Sequence, residues 1–305
     1  MLLGQCYKKM HKRIVVDTQG SPHCNHLLQP VTLMKKFISI SIFLLLFLPK
    51  YRTESALRTE KGKAVEGNQY PYIVKIEGIL DASPKSATNA IHICSAIVVS
   101  STWTITAAHC VARIYSMNHE QPASAQRSPV VRLRRADPPP DAPPSASDIV
   151  NIQEGYKHPG YRDFSVGGTL DLRNDVGMLR TDPIALKEYA KISSADFTSM
   201  IGVQARTFGY PKSSGREHAV TPARLHSSEV IIVECSSGNE MYPALCAATP
   251  CGGRAAACAG DAGAPLLAAP GVVAITGRCG ASARGTFVPL SPYLTWISSF
   301  ILYVH

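Results

Sequence analysis

Short apolar segments alternate with polar, glycine-rich and proline-rich stretches over most of the chain. Eight segments are rich in valine, isoleucine and threonine and are bounded by glycine, proline or serine, which is typical of β-strands. The predicted strands are 71–80, 90–100, 130–135, 175–180, 204–210, 229–235, 265–270 and 271–277. In the tail, 291–305, Leu294, Ile297 and Ile301 recur at helical spacing. Many short strands with one terminal helix predict an all-β barrel or sandwich protein.

Residues 120–147 interrupt this pattern with proline, alanine and serine, including the run DPPPDAPP. We interpret them as an insertion that forms a surface loop. Its arginines, Arg132, Arg134 and Arg135, could meet an acidic partner or simply be solvated, and solvation is the favoured interpretation because short charge clusters usually lie in water.

The most apolar run, 37–48, is twelve residues long, whereas a membrane-spanning helix needs about 20. It follows Met34-Lys35-Lys36 and precedes the small residues Ser55-Ala56, the order of a secretory signal peptide. A short membrane anchor and a buried core strand are the competing interpretations.

We therefore expect residues 1–33 to be an over-extended N-terminus and residues 34–56 to be the signal peptide, with translation starting at Met34. The mature chain, 57–305, would be secreted and extracellular, with no stable membrane span.

The formal net charge of +9 invites a nucleic-acid-binding interpretation, but the basic residues are concentrated at the N-terminus. Residues 1–56 hold 8 of the 31 Lys and Arg and 2 of the 22 Asp and Glu, which leaves 23 basic and 20 acidic residues. A body with a net charge of +3 has no large phosphate-binding field, so no nucleic-acid partner is expected.

Seven cysteines follow residue 56, and in an oxidising compartment they should pair. Because the number is odd, one thiol is left over or bonds to a partner. No cysteine or histidine cluster has zinc spacing, so neither a metal nor a cofactor is expected. The seven are Cys94, Cys110, Cys235, Cys246, Cys251, Cys258 and Cys279.

Three motifs occur in a fixed order along the chain. The first has Cys94-Ser95-Ala96-Ile97 followed by WTITAAHC at 103–110, the second is NDVGML at 174–179, and the third is CAGDAGAPL at 258–266. Together they resemble the His, Asp and Ser motifs of the trypsin/chymotrypsin family of serine proteases. The resemblance covers about 59–305, and HPGY at 158–161 supports it.

The resemblance implies two packed six-stranded antiparallel Greek-key barrels of the chymotrypsin type, with the cleft between them and a C-terminal helix. His109 would be the general base and Asp175 the carboxylate that orients it. Both would come from the first barrel, and the nucleophile position would come from the second.

The nucleophile position is occupied by Ala262. The family sequence Gly-Asp-Ser-Gly-Gly-Pro is replaced by Gly-Asp-Ala-Gly-Ala-Pro at 260–265. Alanine has no oxygen and cannot form an acyl-enzyme, and loss of the nucleophile costs on the order of a million-fold in turnover in a comparable triad. The backbone N–H groups of Gly260 and Ala262 would remain as an oxyanion-hole remnant. The alternative is a sequence error at Ala262, which would make the protein an active serine endopeptidase.

Other departures speak against a single error. Cleavage after Arg58 would create the N-terminus Thr59-Glu60 where the family has Ile-Val. The substrate-binding strand, Ser-Trp-Gly in the family, is replaced by Ile275, Thr276 and Gly277. Ala256 stands where trypsin-like members carry the aspartate that binds basic side chains.

By resemblance, the disulfides are Cys94–Cys110, Cys235–Cys246 and Cys258–Cys279, with Cys251 as the free thiol. An alternative pairing joins Cys235 to Cys251 and leaves Cys246 free.

Three functions remain open. The leading one is a non-catalytic extracellular protein that binds a protease inhibitor as a decoy, assists an active protease, or recognises a surface ligand. The second is an active endopeptidase, and the third is a binding role on an exposed loop, to which the cleft is irrelevant.

Overall fold

The computed structural model describes residues 62–66, 69–79, 90–117, 119, 128–132, 148–166, 169–210, 224–235, 241–249, 261–277 and 285–302. All of these belong to one compact unit, 57–305. The predictions for the N-terminal extension and the signal peptide therefore lie outside the described residues. Within the described ranges, no helix is long and apolar enough to cross a bilayer.

Strands dominate the described residues, with two short α-helices. The strands are β1 (Lys63–Ala64), β2 (Ile73–Ile79), β3 (Ile91–Val98), β4 (Trp103–Thr106), β5 (Ser128–Arg132), β6 (Ile149–Lys157), β7 (Arg162–Val166), β8 (Thr169–Arg173), β9 (Gly177–Thr181), β10 (Gln204–Gly209), β11 (His226–Val233), β12 (Met241–Tyr242), β13 (Leu245–Ala248), β14 (Pro265–Ala268), β15 (Gly271–Thr276) and β16 (Gly285–Pro289). The helices are α1 (Ala108–Ser116) and α2 (Leu294–Ile301).

The first barrel is a closed sheet in the order β2-β3-β4-β9-β6-β5. Its neighbouring strands are antiparallel throughout. Its core is built from fully buried branched side chains, among them Ile76, Ile97, Ile105 and Leu179. β-branched residues suit these positions because they pack well on a pleated surface.

The second barrel runs in the order β11-β10-β14-β15-β16-β13, and the pairing of β13 with β11 closes it. Strand β1 adds to β11 from outside this ring. The expected fold is confirmed, because the structure has two closed six-stranded antiparallel barrels followed by a C-terminal helix.

Helix α2 packs against the first barrel through aromatic rings. The Phe300 ring centroid lies 5.0 Å from that of Trp103 and 5.1 Å from that of Tyr156. Trp296, one turn earlier, stacks edge-on against Phe300 at 5.1 Å. Helix α2 therefore covers part of the first barrel.

A small three-stranded sheet, in the order β12-β8-β7, lies beside the site and was not predicted. Strands β7 and β8 form a hairpin, and β8 pairs in parallel with the two residues of β12. The N–H of Asn174 continues this pairing with a 3.1 Å hydrogen bond to the Tyr242 carbonyl.

The interpretation of 120–147 as one surface loop is wrong for residues 128–132. These residues form strand β5, which pairs with both β2 and β6 and is needed to close the first barrel. Val130 and Val131 are fully buried. Arg132 is buried against Glu77 instead of being solvated. The rest of the proposed insertion lies outside the described residues.

Candidate functional site

His109 and Asp175 are in direct contact. Asp175 Oδ2 lies 2.7 Å from Nδ1 of the His109 ring, and Asp175 Oδ1 accepts a 2.8 Å hydrogen bond from the His109 backbone N–H. The Asp175 side chain is fully buried, whereas 14% of the His109 side chain is exposed. A buried carboxylate favours a protonated Nδ1, so Nε2 of the neutral ring keeps a free lone pair. This is the geometry of a general base with its orienting carboxylate.

The start of helix α1 positions His109. Strand β4 ends at Thr106, and His109 is the second residue of the helix. The disulfide between Cys94 on β3 and Cys110 on α1 ties this turn to the barrel across a separation of 16 residues. The ring is therefore fixed both by a covalent bridge next to it and by the carboxylate.

Asp175 is held by the residue before it. Asn174 has a left-handed backbone, with φ 49°, a conformation that asparagine tolerates better than most residues. Its amide Nδ2 donates a 2.8 Å hydrogen bond to the Gly160 carbonyl, and its Oδ1 accepts a 3.0 Å bond from the Tyr293 hydroxyl. Burial raises the pKa of Tyr293 well above its usual value, and the charge of Asp175 raises it further. Tyr293 therefore stays a donor that fixes the turn before Asp175.

Ala262 lies close to His109 through their shared neighbour Cys110. The Cys110 sulfur is 3.6 Å from His109 Nε2 and 3.9 Å from the Ala262 carbonyl oxygen. The Ala262 carbonyl also accepts a 2.7 Å hydrogen bond from the N–H of Ser95 on β3. The structure thus brings together the three positions His109, Asp175 and Ala262 that the motifs indicate.

The loop around Ala262 is tightly held. Gly263 has φ +85°, and a Cβ there would lie 2.1 Å from the Ser95 carbonyl oxygen, so only glycine fits. Its N–H donates a 2.7 Å hydrogen bond to the Thr276 carbonyl. Asp261 is buried, and its Oδ1 accepts a 2.9 Å bond from the Tyr210 N–H.

The two hydroxyl residues that frame this loop are unsuited to replace the missing serine. Ser95 and Thr106 are both fully buried, and the Thr106 hydroxyl donates a 2.8 Å hydrogen bond to the Ser95 carbonyl.

The predicted substrate-binding strand is buried between its neighbours. Ile275 pairs with β14 on one side and with β16 on the other. The Thr276 N–H and carbonyl both bond to the Ala262 loop, and the Gly277 N–H donates to the Thr286 carbonyl at 3.1 Å. The Met241 side chain occupies the space over Gly277, because a Cβ there would lie 2.2 Å from its methyl carbon. The Thr276 N–H and carbonyl and the Gly277 N–H are therefore taken up inside the protein.

Two disulfides lie within the described residues, Cys94–Cys110 and Cys235–Cys246. Both are pairs that the resemblance implies, and the second is incompatible with the alternative Cys235–Cys251 pairing. The remaining predicted site residues lie outside the described ranges, as does the proposed cleavage site at Arg58. They are Gly260, Ala256, Cys251, Cys258 and Cys279.

One cluster in the described part of the chain has the composition of a metal site. Ligand atoms of Cys94, His109 and Cys110 lie within 4.8 Å of one another. The two sulfurs are joined in a disulfide and cannot act as thiolate ligands. The cluster is therefore the disulfide beside the base and not a metal centre.

Some contacts of the site could not be read from the sequence. Met241 lies 36 residues before Gly277, and nothing in the sequence brings them together. The hydrogen bond from Ser95 to the Ala262 loop had a signal in the sequence, because Ser95 directly follows Cys94 in the first motif. Contacts between the barrels depend on how the barrels meet, which local patterns do not encode.

Two curated relatives match most of the chain. Mouse Transmembrane protease serine 11C is 27% identical over 234 residues, which is 69% of this chain and 48% of the relative. Human Kallikrein-8 is 28% identical over 223 residues, 68% of this chain and 77% of the relative. The chain thus spans about half the length of the first of these relatives.

Solved structures share the fold. The chain superposes on neuropsin, described as a serine protease expressed in the limbic system of mouse brain, with a TM-score of 0.56 at 19% identity; the match covers 79% of this chain and 99% of that structure. HL collagenase gives a TM-score of 0.55 at 15% identity, covering 80% and 99%. The Trypsin family model matches residues 60–297. With this match and the His109–Asp175–Ala262 arrangement, the chain belongs to the trypsin family of serine proteases and their homologues.

Proposed function

We propose that this protein is a secreted member of the trypsin family that has no peptidase activity and acts by binding other proteins. The observation that carries the proposal is Ala262, which stands at the nucleophile position beside a complete His109–Asp175 pair. A base without a hydroxyl to deprotonate cannot start acyl transfer.

The surroundings of the site support the same proposal. Ile275 pairs with both neighbouring strands, the Thr276 N–H and carbonyl and the Gly277 N–H are hydrogen-bonded within the second barrel, and Met241 packs onto Gly277. A substrate backbone could not pair with these groups as they stand. The Thr59-Glu60 start would also place a carboxylate where an apolar residue is expected, and burying it unpaired costs several kcal/mol.

The proposed partner is extracellular: a protease inhibitor captured as a decoy, an active protease that the chain assists, or a surface ligand. The two disulfides agree with an oxidising compartment. Because a fixed fold is enough for such a role, the catalytic residues can change while the barrels persist.

The test uses the mature chain before and after treatment with trypsin. A fluorophosphonate probe, which labels an activated serine, should leave the chain unlabelled, and peptide substrates should be cleaved no faster than by a heat-killed sample. Labelling, or turnover blocked by a serine-directed inhibitor, would contradict the proposal. Affinity capture from the secreted fluid, with the mature chain as bait, then identifies the partner.

A second candidate is an active serine endopeptidase that carries serine at position 262 in the natural chain. The intact contact between His109 and Asp175 favours it, because a protein without catalysis has no need of an oriented base. Mass spectrometry of the peptide containing residue 262 decides between the two: alanine supports the binding protein, and serine supports the enzyme.

A further inference from the structure

Two cationic side chains face each other on neighbouring strands of the first barrel. Lys75 on β2 is the cross-strand partner of Arg132 on β5. Like charges directly opposite one another destabilise a sheet unless something compensates them. Glu77, two residues along β2, supplies one carboxylate, and the Arg132 Nε bonds to its Oε2. Two cations and one anion leave this Lys75–Glu77–Arg132 cluster with one uncompensated positive charge.

The cluster is largely removed from water and has unused donors. The side chains of Arg132 and Glu77 are 10% and 7% exposed. Nη1 of Arg132 is buried without a hydrogen-bond partner. The Lys75 ammonium lies 4.7 Å from the centroid of the Tyr210 ring, a cation–π contact. Unpaired buried donors of charged groups are costly, so a bound acceptor would stabilise the protein.

The electrostatics of Lys75 agree with this. Burial lowers the pKa of its ammonium, Glu77 acts in the opposite direction, and Arg132 lowers it again. An anion beside the ammonium would oppose both unfavourable effects.

We propose that Lys75 and Arg132 form a binding site for a small oxyanion, a carboxylate or phosphate group, held by Lys75 Nζ and Arg132 Nη1. A guanidinium that already uses Nε on Glu77 has Nη1 directed elsewhere, and an ammonium nearby adds a second donor. Charge-assisted hydrogen bonds of this kind are among the stronger ones in proteins.

The position of the site gives it access to whatever binds near Ala262. Ser95, the other cross-strand partner of Lys75, donates its N–H to the Ala262 carbonyl, so only strand β3 separates the two sites. Tyr210, from the second barrel, forms the wall over Lys75 and also donates to Asp261. The oxyanion therefore has two possible sources, a free anion or an acidic side chain of a bound protein. The site would exist whether or not the chain is catalytic.

The experiment measures the thermal unfolding midpoint of the mature chain, and its anion binding by titration calorimetry. The anions are sodium phosphate and N-acetylglutamate amide, each compared with sodium chloride at equal ionic strength. We expect an anion-specific rise in the unfolding midpoint and saturable binding. Lys75→Gln should weaken the binding at least about tenfold, the effect of losing one strong charged contact. Lys63→Gln, which removes an exposed lysine on β1, is the matched control and should bind like the wild type.

Each outcome is decisive. Binding of phosphate alone assigns a free phosphate-type anion, and binding of the glutamate derivative assigns an acidic side chain. No anion-specific effect in the wild type, or the same effect in Lys75→Gln, would overturn the site. Should Lys75→Gln fail to fold, Lys75→Met tests the same ammonium with an apolar side chain of similar length.

Discussion

At the scale of single residues, one carboxylate controls both the backbone and the ring of His109. Asp175 accepts one bond from the His109 N–H and another from its Nδ1. The backbone bond fixes which oxygen faces which group, so the carboxylate cannot rotate without losing both contacts. The imidazole is consequently held in one tautomer, although residue 262 is alanine and not serine.

The tautomer can be tested directly. In Asp175→Asn, the amide oxygen should keep the backbone N–H, and the amide nitrogen should then donate to Nδ1 of His109. The ring proton is expected to move to Nε2, because the same aspartate-to-asparagine change gives the histidine of a working triad the wrong tautomer. Nitrogen-15 NMR of labelled histidine reads the protonated nitrogen. Asp171→Asn, at a carboxylate paired with Arg173 in the neighbouring hairpin, should leave the His109 signals unchanged. An unchanged tautomer in Asp175→Asn would contradict the geometry.

Two glycines allow steric and conformational costs to be separated. Gly263 and Gly202 have nearly the same backbone, with φ +85° and +86°. A Cβ on Gly202 meets nothing within 4 Å, whereas on Gly263 it would collide with the Ser95 carbonyl. Gly202→Ala should therefore cost about 1–2 kcal/mol of unfolding free energy from the left-handed backbone alone. Gly263→Ala should cost clearly more. Chemical denaturation measures both, and equal losses would mean that the Ala262 loop moves freely.

At the scale of elements, helix α2 joins the site to the first barrel. The His158 ring lies 5.1 Å from Trp296 on this helix and 5.0 Å from Tyr293, the residue before the helix. His158 Nδ1 also accepts a 3.1 Å bond from the Gly160 N–H, and the Gly160 carbonyl receives the Asn174 amide. Packing of the helix and placement of Asp175 are therefore linked.

This packing should depend on pH. Burial lowers the pKa of His158 below its ordinary value of 6.5. As the pH falls through 6.5, the unfolded chain takes up the proton more readily than the folded one, so stability is lost there. Urea unfolding between pH 7.5 and pH 5 should show a smaller loss for His158→Gln than for the wild type. An identical pH dependence in both proteins would show that His158 does not contribute.

Short segments rich in valine, isoleucine and threonine, bounded by glycine, proline or serine, were enough to locate much of the second barrel. The predicted segments 204–210, 265–270 and 271–277 contain strands β10, β14 and β15. Strand β6 has the sequence IVNIQEGYK. It escaped prediction because every residue except Val150 is half-exposed or exposed, and most of them are polar. Strand β5 was predicted in part, by the segment 130–135, but the prolines around it placed that segment inside the proposed surface loop 120–147. Helix α1 was missed because it is only nine residues long and begins inside the His motif.

The site was predictable where residues lie close in sequence, as His109 and Cys110 of the Cys94–Cys110 disulfide do. The pairing of His109 with Asp175 came from the family resemblance, not from the local pattern. The burial of Ile275 to Gly277 and the Lys75–Arg132 pairing follow from strand register and barrel closure. Those are tertiary properties that local periodicity does not contain.

At the scale of the whole molecule, catalysis would need parts from both barrels. The base and carboxylate come from the first, while the Ala262 loop and strand β15 come from the second. Ala262→Ser restores only one of these parts. We expect this variant to hydrolyse peptide substrates far more slowly than an active relative, because the Thr276 N–H and carbonyl and the Gly277 N–H remain hydrogen-bonded within the second barrel. Initial rates with chromogenic peptides, with Ala262→Ser/His109→Ala as the inactive control, measure this. Full activity from the single change would show that strand β15 is no obstacle.

The location of helix α2 has a consequence for the order in which the chain matures. The helix follows both barrels in the sequence, yet it covers Trp103 and Tyr156, which are synthesised much earlier. Until the helix emerges, the first barrel carries an uncovered aromatic face, and such faces promote aggregation in incomplete chains. Messages that end shortly after strand β16 would encode both barrels but leave this face open. Quality control of the newly made chain would then act on helix α2 more than on His109 and Asp175.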